Sequence, residues 1–265
     1  MIYRTDYHSH TKYSDGHGWP EEYIPFALKQ GISELGFSDH LTLTEEQQDW
    51  SIKPSQLDEY CERILSLKKN NNKIKVKLGL EVDFLPDKED DIKAIINSYP
   101  FDYTIGSIHY LDGESVDLAP EYYQNRDLES LYSRYFETVA QAASTGLFNI
   151  MGHIDLVRMF GYFPSADLST IYRKLAKSLK KSNVTVEINT NGRNKVLNDF
   201  YPDPVYLNIF REEGVPVCVN SDSHFPNGVG QYFDEAYAMI IGCGFSEMVT
   251  FDQKTMASRK IIKRL

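Results

Sequence analysis

The sequence has no apolar run of about 18 residues, the length that a membrane-spanning helix needs. Its N-terminus lacks the basic and apolar regions of a secretory signal. Cysteine is scarce, since only Cys61, Cys218 and Cys243 are present, at wide and irregular spacing. This odd number favours buried free thiols in a reducing compartment over a disulfide or a thiolate metal site. We therefore expect a cytoplasmic protein that does not engage a membrane.

Positive charge is also in short supply. The chain has 28 Lys and Arg residues against 38 Asp and Glu residues, for a net charge of −10. Such a field repels phosphate backbones, which disfavours extended nucleic-acid binding but still allows a local basic pocket. The basic clusters at 67–77 and 177–183 fall at predicted helix C-termini, where cations stabilise the helix dipole. We expect no nucleic-acid partner.

Short apolar segments alternate with helical patterns along the chain. The apolar segments lack strict alternation, as is typical of strands buried on both faces. Asp127 and Asp203 are candidate helix N-caps, and Gly146 and Gly214 follow helix ends. Strands are predicted at Tyr3–His8, Glu34–Ser38, Lys75–Phe84, Tyr103–His109, Asn149–His153, Thr185–Thr190 and Pro216–Asn220. Helices are predicted at Glu21–Gln30, Ser55–Lys69, Lys88–Tyr99, Leu128–Thr145, Leu168–Ser182, Pro204–Glu213 and Asp234–Ile241.

This alternation predicts an α/β fold of parallel strands joined by right-handed crossovers. No linker or shift of composition divides the chain, so residues 1–265 are expected to form one domain. The polar motifs all lie at strand-to-helix junctions. A closed barrel gathers those junctions at one rim, whereas an open sheet would bring together only two or three of them. The motifs therefore favour a barrel.

The seven histidines are informative because of their placement. Almost all of them follow a strand-like segment, whereas the predicted helices contain none. Glu81, in GLEVDF, occupies the same kind of position. The convergence of these side chains predicts a site for several metal ions at the rim. The histidines are His8, His10, His17, His40, His109, His153 and His224.

Two pairs in the sequence have the spacing of a metal half-site. His8 and His10 are two residues apart on a strand, so both side chains point to the same face. Asp222 and His224 repeat this spacing on the last predicted strand. Two imidazoles bind a divalent transition metal well when carboxylates complete the site, and the two oxygens of Glu81 can bridge two ions. A lone histidine is usually structural, but the joint pattern favours metal binding.

Six motifs carry a resemblance to a known family. They are DYHSHTKYSDG, GFSDH, GLEVDF, GSIHY, GHIDL and NSDSH, in this order. With them the sequence resembles the polymerase and histidinol phosphatase (PHP) family along almost its whole length. The resemblance implies a distorted, TIM-like (β/α)7 barrel with a trinuclear metal centre at the C-terminal ends of the strands.

The resemblance also implies how three divalent ions would be bound. Zn, Mn and Fe all suit such imidazole and carboxylate ligands. The third site needs a residue that follows the H-x-H pair. Asp15, in the S-D-G form of the motif, is favoured there over His17, which would then lie near the substrate. The ligands would be His8, His10, Glu81 and Asp222 for the first ion, Glu81, His109 and His153 for the second, and His40, His224 and Asp15 or His17 for the third.

Within the family, the free-standing chain is similar to the branch that acts on L-histidinol phosphate. Arg158 and Arg193 are expected to bind the phosphate of this monoester in a bidentate way, and Asn191 to line the rim. The expected products are L-histidinol and inorganic phosphate. A hydroxide bridging the first two ions would attack phosphorus, and Asp222, His17 or the third ion would assist the leaving group.

Two other functions remain open at this stage. The chain could be a PHP phosphoesterase or nuclease that acts on another phosphorylated substrate with the same metals. It could also be a non-catalytic metal-binding barrel, although the complete ligand set argues against this. The sequence does not predict an oligomeric state.

Overall fold

The structure is a computed structural model that describes residues 2–261. Its strands are β1 (Arg4–Asp6), β2 (Ile32–Phe37), β3 (His40–Leu41), β4 (Lys75–Leu78), β5 (Glu81–Asp83), β6 (Ile105–Ser107), β7 (Tyr110–Leu111), β8 (Glu114–Ser115), β9 (Ile150–Met151), β10 (Thr185–Asn189), β11 (Val217–Asn220), β12 (Glu247–Asp252) and β13 (Thr255–Lys260). Its helices are α1 (Pro20–Lys29), α2 (Leu57–Asn70), α3 (Glu89–Ser98), α4 (Leu128–Ser144), α5 (Ser169–Ser182), α6 (Leu207–Glu212) and α7 (Phe233–Gly242).

Parallel pairing assembles nine of these strands into a barrel. One sheet has the order β1-β2-β4, and the other has the order β11-β10-β9-β6-β5-β3. Two barrel strands contribute to both sheets. The second strand passes from β2 in one sheet to β3 in the other, and the third passes from β4 to β5. A parallel bridge between Ser9 and Ser223 joins the first strand segment to the last. The amide of His10 also donates to the carbonyl oxygen of Ser223 over 2.9 Å. The predicted distorted (β/α)7 barrel is confirmed. The distortion is the division of its strands between two sheets.

The third barrel strand is interrupted, so the prediction of one strand over Lys75–Phe84 is wrong. The ring of Tyr103 packs against Gly36 and Gly79, in the space that a Cβ atom would need at either glycine. The strand is interrupted at this close approach, between β4 and β5. The hydroxyl of Tyr60 donates to the carbonyl oxygen of Gly79 over 2.8 Å, so the break does not leave that group unpaired.

An antiparallel hairpin of β12 and β13 closes the N-terminal end of the barrel. Phe251 packs its ring against Tyr7 and Tyr103, with centroids 5.9 and 6.4 Å apart. Asp252 pairs with Lys77 of the third strand at 2.6 Å. This hairpin was not predicted. It plugs the end of the barrel opposite to the histidines and leaves the other rim open.

The helices surround the barrel at nearly the predicted positions. The candidate cap Asp127 begins α4, since its carboxylate accepts hydrogen bonds from the amides of Glu129 and Ser130. None of the helices in residues 2–261 is long and apolar enough to cross a membrane. The main hydrophobic cluster includes residues from Tyr13 to Ile261. That residues 1–265 form a single domain stays a prediction. All three cysteines are free thiols, as expected, and two of them are buried.

Candidate metal centre

The seven barrel strands deliver six histidines to one rim. They line or adjoin a cavity of about 390 Å³ at the C-terminal ends of the strands. His8 and His10 follow β1, and the parallel bridge at Ser9 holds them beside the segment after β11. Both rings are fully buried, and their centroids lie 5.0 Å apart. The two-residue spacing therefore places both imidazoles on the inner face, as expected.

Glu81 is the hub of the site. Its side chain is fully buried at the start of β5, where the strand pairs with His40 in register. Oε2 lies 3.0 Å from Nε2 of His8 and 2.7 Å from Nδ1 of His40. Oε1 lies 3.1 Å from Nε2 of His153 and 4.0 Å from Nε2 of His109. One carboxylate thus faces imidazoles from four other strands, which is the geometry a bridging ligand needs.

Asp222 is the second carboxylate beside the H-x-H pair. Its Oδ1 is 3.2 Å from Nε2 of His10 and 3.8 Å from Nε2 of His8. The last strand ends at Asn220, so Asp222 and His224 do not lie on it as predicted. Asp222 has a φ of 48°, a left-handed conformation that aspartate tolerates better than most residues. This turn directs the Asp222 carboxylate inward.

The segment after the H-x-H pair supplies Asp15 to the site and directs His17 away from it. Oδ1 of Asp15 lies 3.8 Å from Nε2 of His40, and Oδ2 lies 3.2 Å from Nε2 of His224. The ring of His17 is exposed and stacks on Phe225, with centroids 4.1 Å apart. It does not line the cavity. The expectation that His17 lies near the substrate is therefore wrong.

The side chains form overlapping groups of potential ligands. Within each group the donor atoms lie within 4.8 Å of one another. His8, His10, His40 and Glu81 each belong to two groups, so neighbouring groups have ligands in common. The groups are His8 with His10 and Asp222, His8 with Glu81 and His153, His40 with Glu81 and His109, and His10 with Asp15, His40 and His224.

The carboxylates of Glu81 and Asp222 and the ring of His10 have charge states that suit a bound cation. Burial raises the pKa of the Glu81 carboxyl, but His8 and His40 outweigh this effect and hold the pKa well below its usual range. The pKa of Asp222 is likewise well below its usual range despite burial, because of His8 and His10. Burial and the neighbouring imidazoles lower the pKa of His10 to about 3. Ionised carboxylates and a neutral imidazole are the forms that bind metal ions.

Several buried nitrogen and oxygen atoms of the potential metal ligands have no hydrogen-bond partner. Nε2 of His8 and Oε2 of Glu81 are the central pair, and Nδ1 of His153 and Oδ1 of Asp15 are two more. An unsatisfied polar atom in a protein interior costs about 1–3 kcal/mol. A divalent cation coordinated by these atoms would satisfy them, so the residues fit a metal centre.

The structure does not place the two expected arginines in the cavity. Arg158 is 3% exposed and pairs with Asp155 and Asp203, each at 3.0 Å. Arg193 points to the outer surface, where it pairs with Glu235 at 3.2 Å. Both side chains are held by acidic partners, so neither is free to bind a phosphate in this arrangement. Asp155 is only three residues before Arg158, but Asp203 comes from a distant loop that sequence spacing could not reveal.

Other polar side chains do line the cavity. Asn191 is at the rim, as expected, and Lys195 follows it on the same loop. Of the described lysines and arginines, Lys195 alone lines the cavity. Asp117 also lines the cavity, where it accepts a hydrogen bond of 2.7 Å from Ser115. Trp50 adds an aromatic wall beside the metal ligands.

Comparisons with known proteins agree with this geometry. Residues 6–191 match the PHP domain family. The chain belongs to this family. It is 35% identical over 259 residues to a probable histidinol-phosphatase of Deinococcus radiodurans, covering 95% of this chain and 97% of that protein. It is also 25% identical over 261 residues to a histidinol-phosphatase of Bacillus subtilis, covering 87% and 97%.

A solved structure shares the whole fold of this PHP chain. The histidinol phosphate phosphatase of Lactococcus lactis, crystallised with zinc, L-histidinol and phosphate, superposes with a TM-score of 0.85. Its sequence identity is 25%, and the match covers 97% of this chain and 100% of the other. The similarity therefore extends beyond the metal motifs to the complete barrel.

Two carboxylates that support the PHP site escaped the sequence analysis. Oδ1 of Asp83 lies 2.5 Å from Nδ1 of His109, and Oε1 of Glu187 lies 2.6 Å from Nδ1 of His8. Burial lowers the pKa of His109, but Asp83 outweighs this effect and raises the pKa to about 10. Both carboxylates are buried in strands. A charged residue inside an apolar strand is itself a signal, and Glu187 in VEIN carries it.

Proposed function

We propose that this protein is a metal-dependent phosphatase that hydrolyses L-histidinol phosphate to L-histidinol and inorganic phosphate. The observation that carries the proposal is the set of imidazoles around the buried Glu81 carboxylate, at the mouth of a barrel shared with histidinol phosphatases. The three free thiols are consistent with work in the reducing cytoplasm.

The site is proposed to hold three divalent ions, of Zn, Mn or Fe. The residues that would hold them are His8, His10, Glu81 and Asp222, then Glu81, His109 and His153, and then His40, His224 and Asp15. Bound divalent ions neutralise phosphoryl oxygens and lower the pKa of water to about 7. The remaining contributions come from the protein.

The protein's own side chains would orient the substrate. Lys195 and Asn191, which both line the cavity, can donate hydrogen bonds to a phosphate oxygen. Asp117, also on the cavity wall, can pair with the ammonium group of histidinol. Trp50 gives the cavity an aromatic side. The cavity thus has a cationic side chain for the phosphate and an anionic one for the ammonium group.

Asp222 would act as a hydrogen-bond acceptor rather than as an acid. Its pKa is held well below the usual range, so its carboxylate is ionised at neutral pH. Nδ2 of Asn189 donates to Oδ2 of Asp222 over 3.2 Å and fixes the carboxylate. Oδ1 is directed toward His10 and can accept a hydrogen bond from the attacking water. The leaving group must then receive its proton from solvent or another group.

The direct test compares substrates. The purified protein is assayed on L-histidinol phosphate, an aryl phosphate and an oligonucleotide, and its metal content is measured in parallel. We expect the highest kcat/KM on L-histidinol phosphate and bound divalent metal. A higher kcat/KM on the oligonucleotide would refute the proposal, and metal-free protein with full activity would refute its mechanism.

Glu81→Gln tests the bridging carboxylate. The amide keeps the size of the side chain but removes the charge and one acceptor, so it cannot bridge two ions. We expect loss of bound metal and a fall in kcat of about 100-fold or more, since outer-shell changes alone cost 10–100-fold. Unchanged turnover in this variant would eliminate a bridging role for Glu81.

A further inference from the structure

The carboxylate of Glu187 lies in a cage of hydrogen-bond donors. It is fully buried in β10, behind His8. Nδ1 of His8 and Nδ2 of Asn220 lie 2.6 and 2.9 Å from Oε1. The backbone amide of His153 and Nδ2 of Asn189 each donate to Oε2 over 2.9 Å. Four donors from four different strand ends therefore converge on two oxygens.

The two amide side chains in this cage cannot turn over. The backbone amide of Tyr7 donates to Oδ1 of Asn220 over 2.9 Å, which leaves the NH2 group of Asn220 facing Glu187. The backbone amide of Asn191 donates to Oδ1 of Asn189 over 2.9 Å, with the same result. A backbone N–H is always a donor, so it fixes each amide in one orientation. His8 is thus the only member of the cage that can change its hydrogen-bonding role.

The position of His8 makes its tautomer important. Its Nδ1 faces Glu187, and its Nε2 lies 3.0 Å from Oε2 of Glu81. When Nδ1 carries the proton and donates to Glu187, the lone pair of Nε2 is free for a metal ion. When Nε2 carries the proton, it has no lone pair to offer and that coordination position is blocked. A neutral imidazole has one of these forms or the other.

We infer that Glu187 is a positioning residue that fixes the metal-binding tautomer of His8. The inference rests on the metal-binding part of the proposed function. Glu187 does not touch the substrate cavity, and its effect passes through the His8 ring. An ionised carboxylate only accepts hydrogen bonds, so Glu187 can accept from all four donors. This arrangement favours the His8 tautomer that carries its proton on Nδ1.

Glu187→Gln should reverse the tautomer. If the new amide group faced His153 and Asn189, it would oppose two fixed donors. If it faced His8 and Asn220 instead, it would oppose only Asn220, provided that Nδ1 of His8 becomes an acceptor. The second arrangement has fewer donor–donor contacts and places the proton of His8 on Nε2. The variant should therefore favour the form of His8 that cannot bind metal through Nε2.

The experiment uses zinc-loaded protein labelled with ¹⁵N in its histidine rings. Long-range ¹H–¹⁵N correlation spectra report the tautomer of each ring, and competition with a chelator reports zinc affinity. We expect one ring to change from the Nδ1–H to the Nε2–H form in Glu187→Gln, with zinc affinity lower by about 10- to 100-fold. Glu187→Asp keeps an acceptor-only group, so it should keep the wild-type tautomer pattern.

Glu34→Gln is the matched control. Glu34 is also buried in a barrel strand and accepts hydrogen bonds from Tyr3 and Tyr7, at 2.7 and 2.6 Å, away from the rim. Its replacement should leave the tautomers unchanged and zinc affinity within about twofold of wild type, as expected for a site with no metal-binding side chain.

Either of two results with Glu187→Gln would overturn the inference. One is a Glu187→Gln protein that binds zinc as tightly as the Glu34→Gln control, and the other is weaker zinc binding without a change of tautomer. If Glu187→Gln does not fold, a changed tautomer pattern in Glu187→Asp would overturn it. None of these measurements uses a substrate. Failure of the wild type to hydrolyse L-histidinol phosphate would thus refute the proposed function and leave this inference standing.

Discussion

Oδ2 of Asp15 lies 3.2 Å from Nε2 of His224 and links the loops that follow the first and last barrel strands. The backbone strengthens this link, because the amide of His17 donates to the carbonyl oxygen of His224 over 2.7 Å. The same backbone contact directs the His17 ring outward onto Phe225. Two residues that are equally plausible in the sequence therefore have different environments.

Asp15→Ala should weaken the proposed third metal site. The change removes the carboxylate between His40 and His224 and leaves two imidazoles close together without an anion. We expect substoichiometric metal and a fall in kcat on L-histidinol phosphate of about 10- to 100-fold. Elemental analysis after dialysis and steady-state kinetics measure the two effects.

His17→Ala is the comparison for this prediction. Its ring is exposed and touches Phe225 outside the cavity, so metal content should match wild type and kcat should stay within about twofold. The opposite ranking of the two variants, with His17→Ala losing metal and Asp15→Ala retaining it, would contradict the structure.

Asp117→Asn should change substrate preference more than catalysis. The side chain is an acidic part of the cavity wall and does not belong to a ligand group. A charged hydrogen bond contributes about 1.5–3 kcal/mol, so the KM for L-histidinol phosphate should rise about 10-fold or more. An aryl phosphate has no ammonium group, and its KM should change less than about twofold. Equal effects on both substrates would exclude recognition of the ammonium group by Asp117.

The rim was predictable because each ligand follows a strand. Parallel strands in a barrel place their C-terminal ends together, so His40, Glu81 and His109 had to meet once the alternation of strands and helices was recognised. The six-motif resemblance then divided the ligands among ions. Neither argument needs the exact strand ends. The prediction of the rim is therefore correct although the third strand is interrupted.

The supporting contacts were not predictable in the same way. Arg158 looks like a phosphate ligand until its partners Asp155 and Asp203 are known, and these come from different loops. The closing hairpin was missed because its turn contains Gln253 and Lys254 at positive φ, where a sequence signal would be Asn or Gly. Tertiary contacts compensate for this turn, since the amide of Lys254 donates to Asp102.

Arg158→Met should reduce stability strongly. Arg158 and Asp155 are both buried, and removal of the cation leaves the Asp155 carboxylate without its ionic partner. Breaking a buried pair in this way costs about 3–5 kcal/mol of unfolding free energy. Arg193→Met removes a pair with the exposed Glu235 and should cost at most about 1 kcal/mol. Urea denaturation of zinc-loaded protein measures both values.

The two arginine variants also test the phosphate role directly. If Arg158 acts only in the buried network, the KM of the folded Arg158→Met protein should stay within a few-fold of wild type. A specific rise in KM for every phosphate monoester, with unchanged unfolding free energy, would show that Arg158 leaves Asp155 and binds the substrate.

Glu34→Gln should make stability less dependent on pH. Burial raises the pKa of the Glu34 carboxyl, but hydrogen bonds from Tyr3 and Tyr7 and the charges of Lys77 and Lys75 outweigh this effect and lower it below its ordinary value of 4.5. A carboxyl whose pKa is lower in the folded state stabilises the protein above its unfolded pKa. This contribution is lost as the pH falls through the folded value.

The sign of the effect follows from this linkage. Wild type should be more stable than Glu34→Gln at pH 7, and the difference should shrink as the pH falls below 4.5. Both proteins are compared after metal removal by a chelator, so that protonation of the metal ligands affects them equally. Urea denaturation at several pH values gives the difference in unfolding free energy. A difference that grows toward acid pH would mean that Glu34 is protonated more readily in the folded protein, contrary to the contacts that surround it.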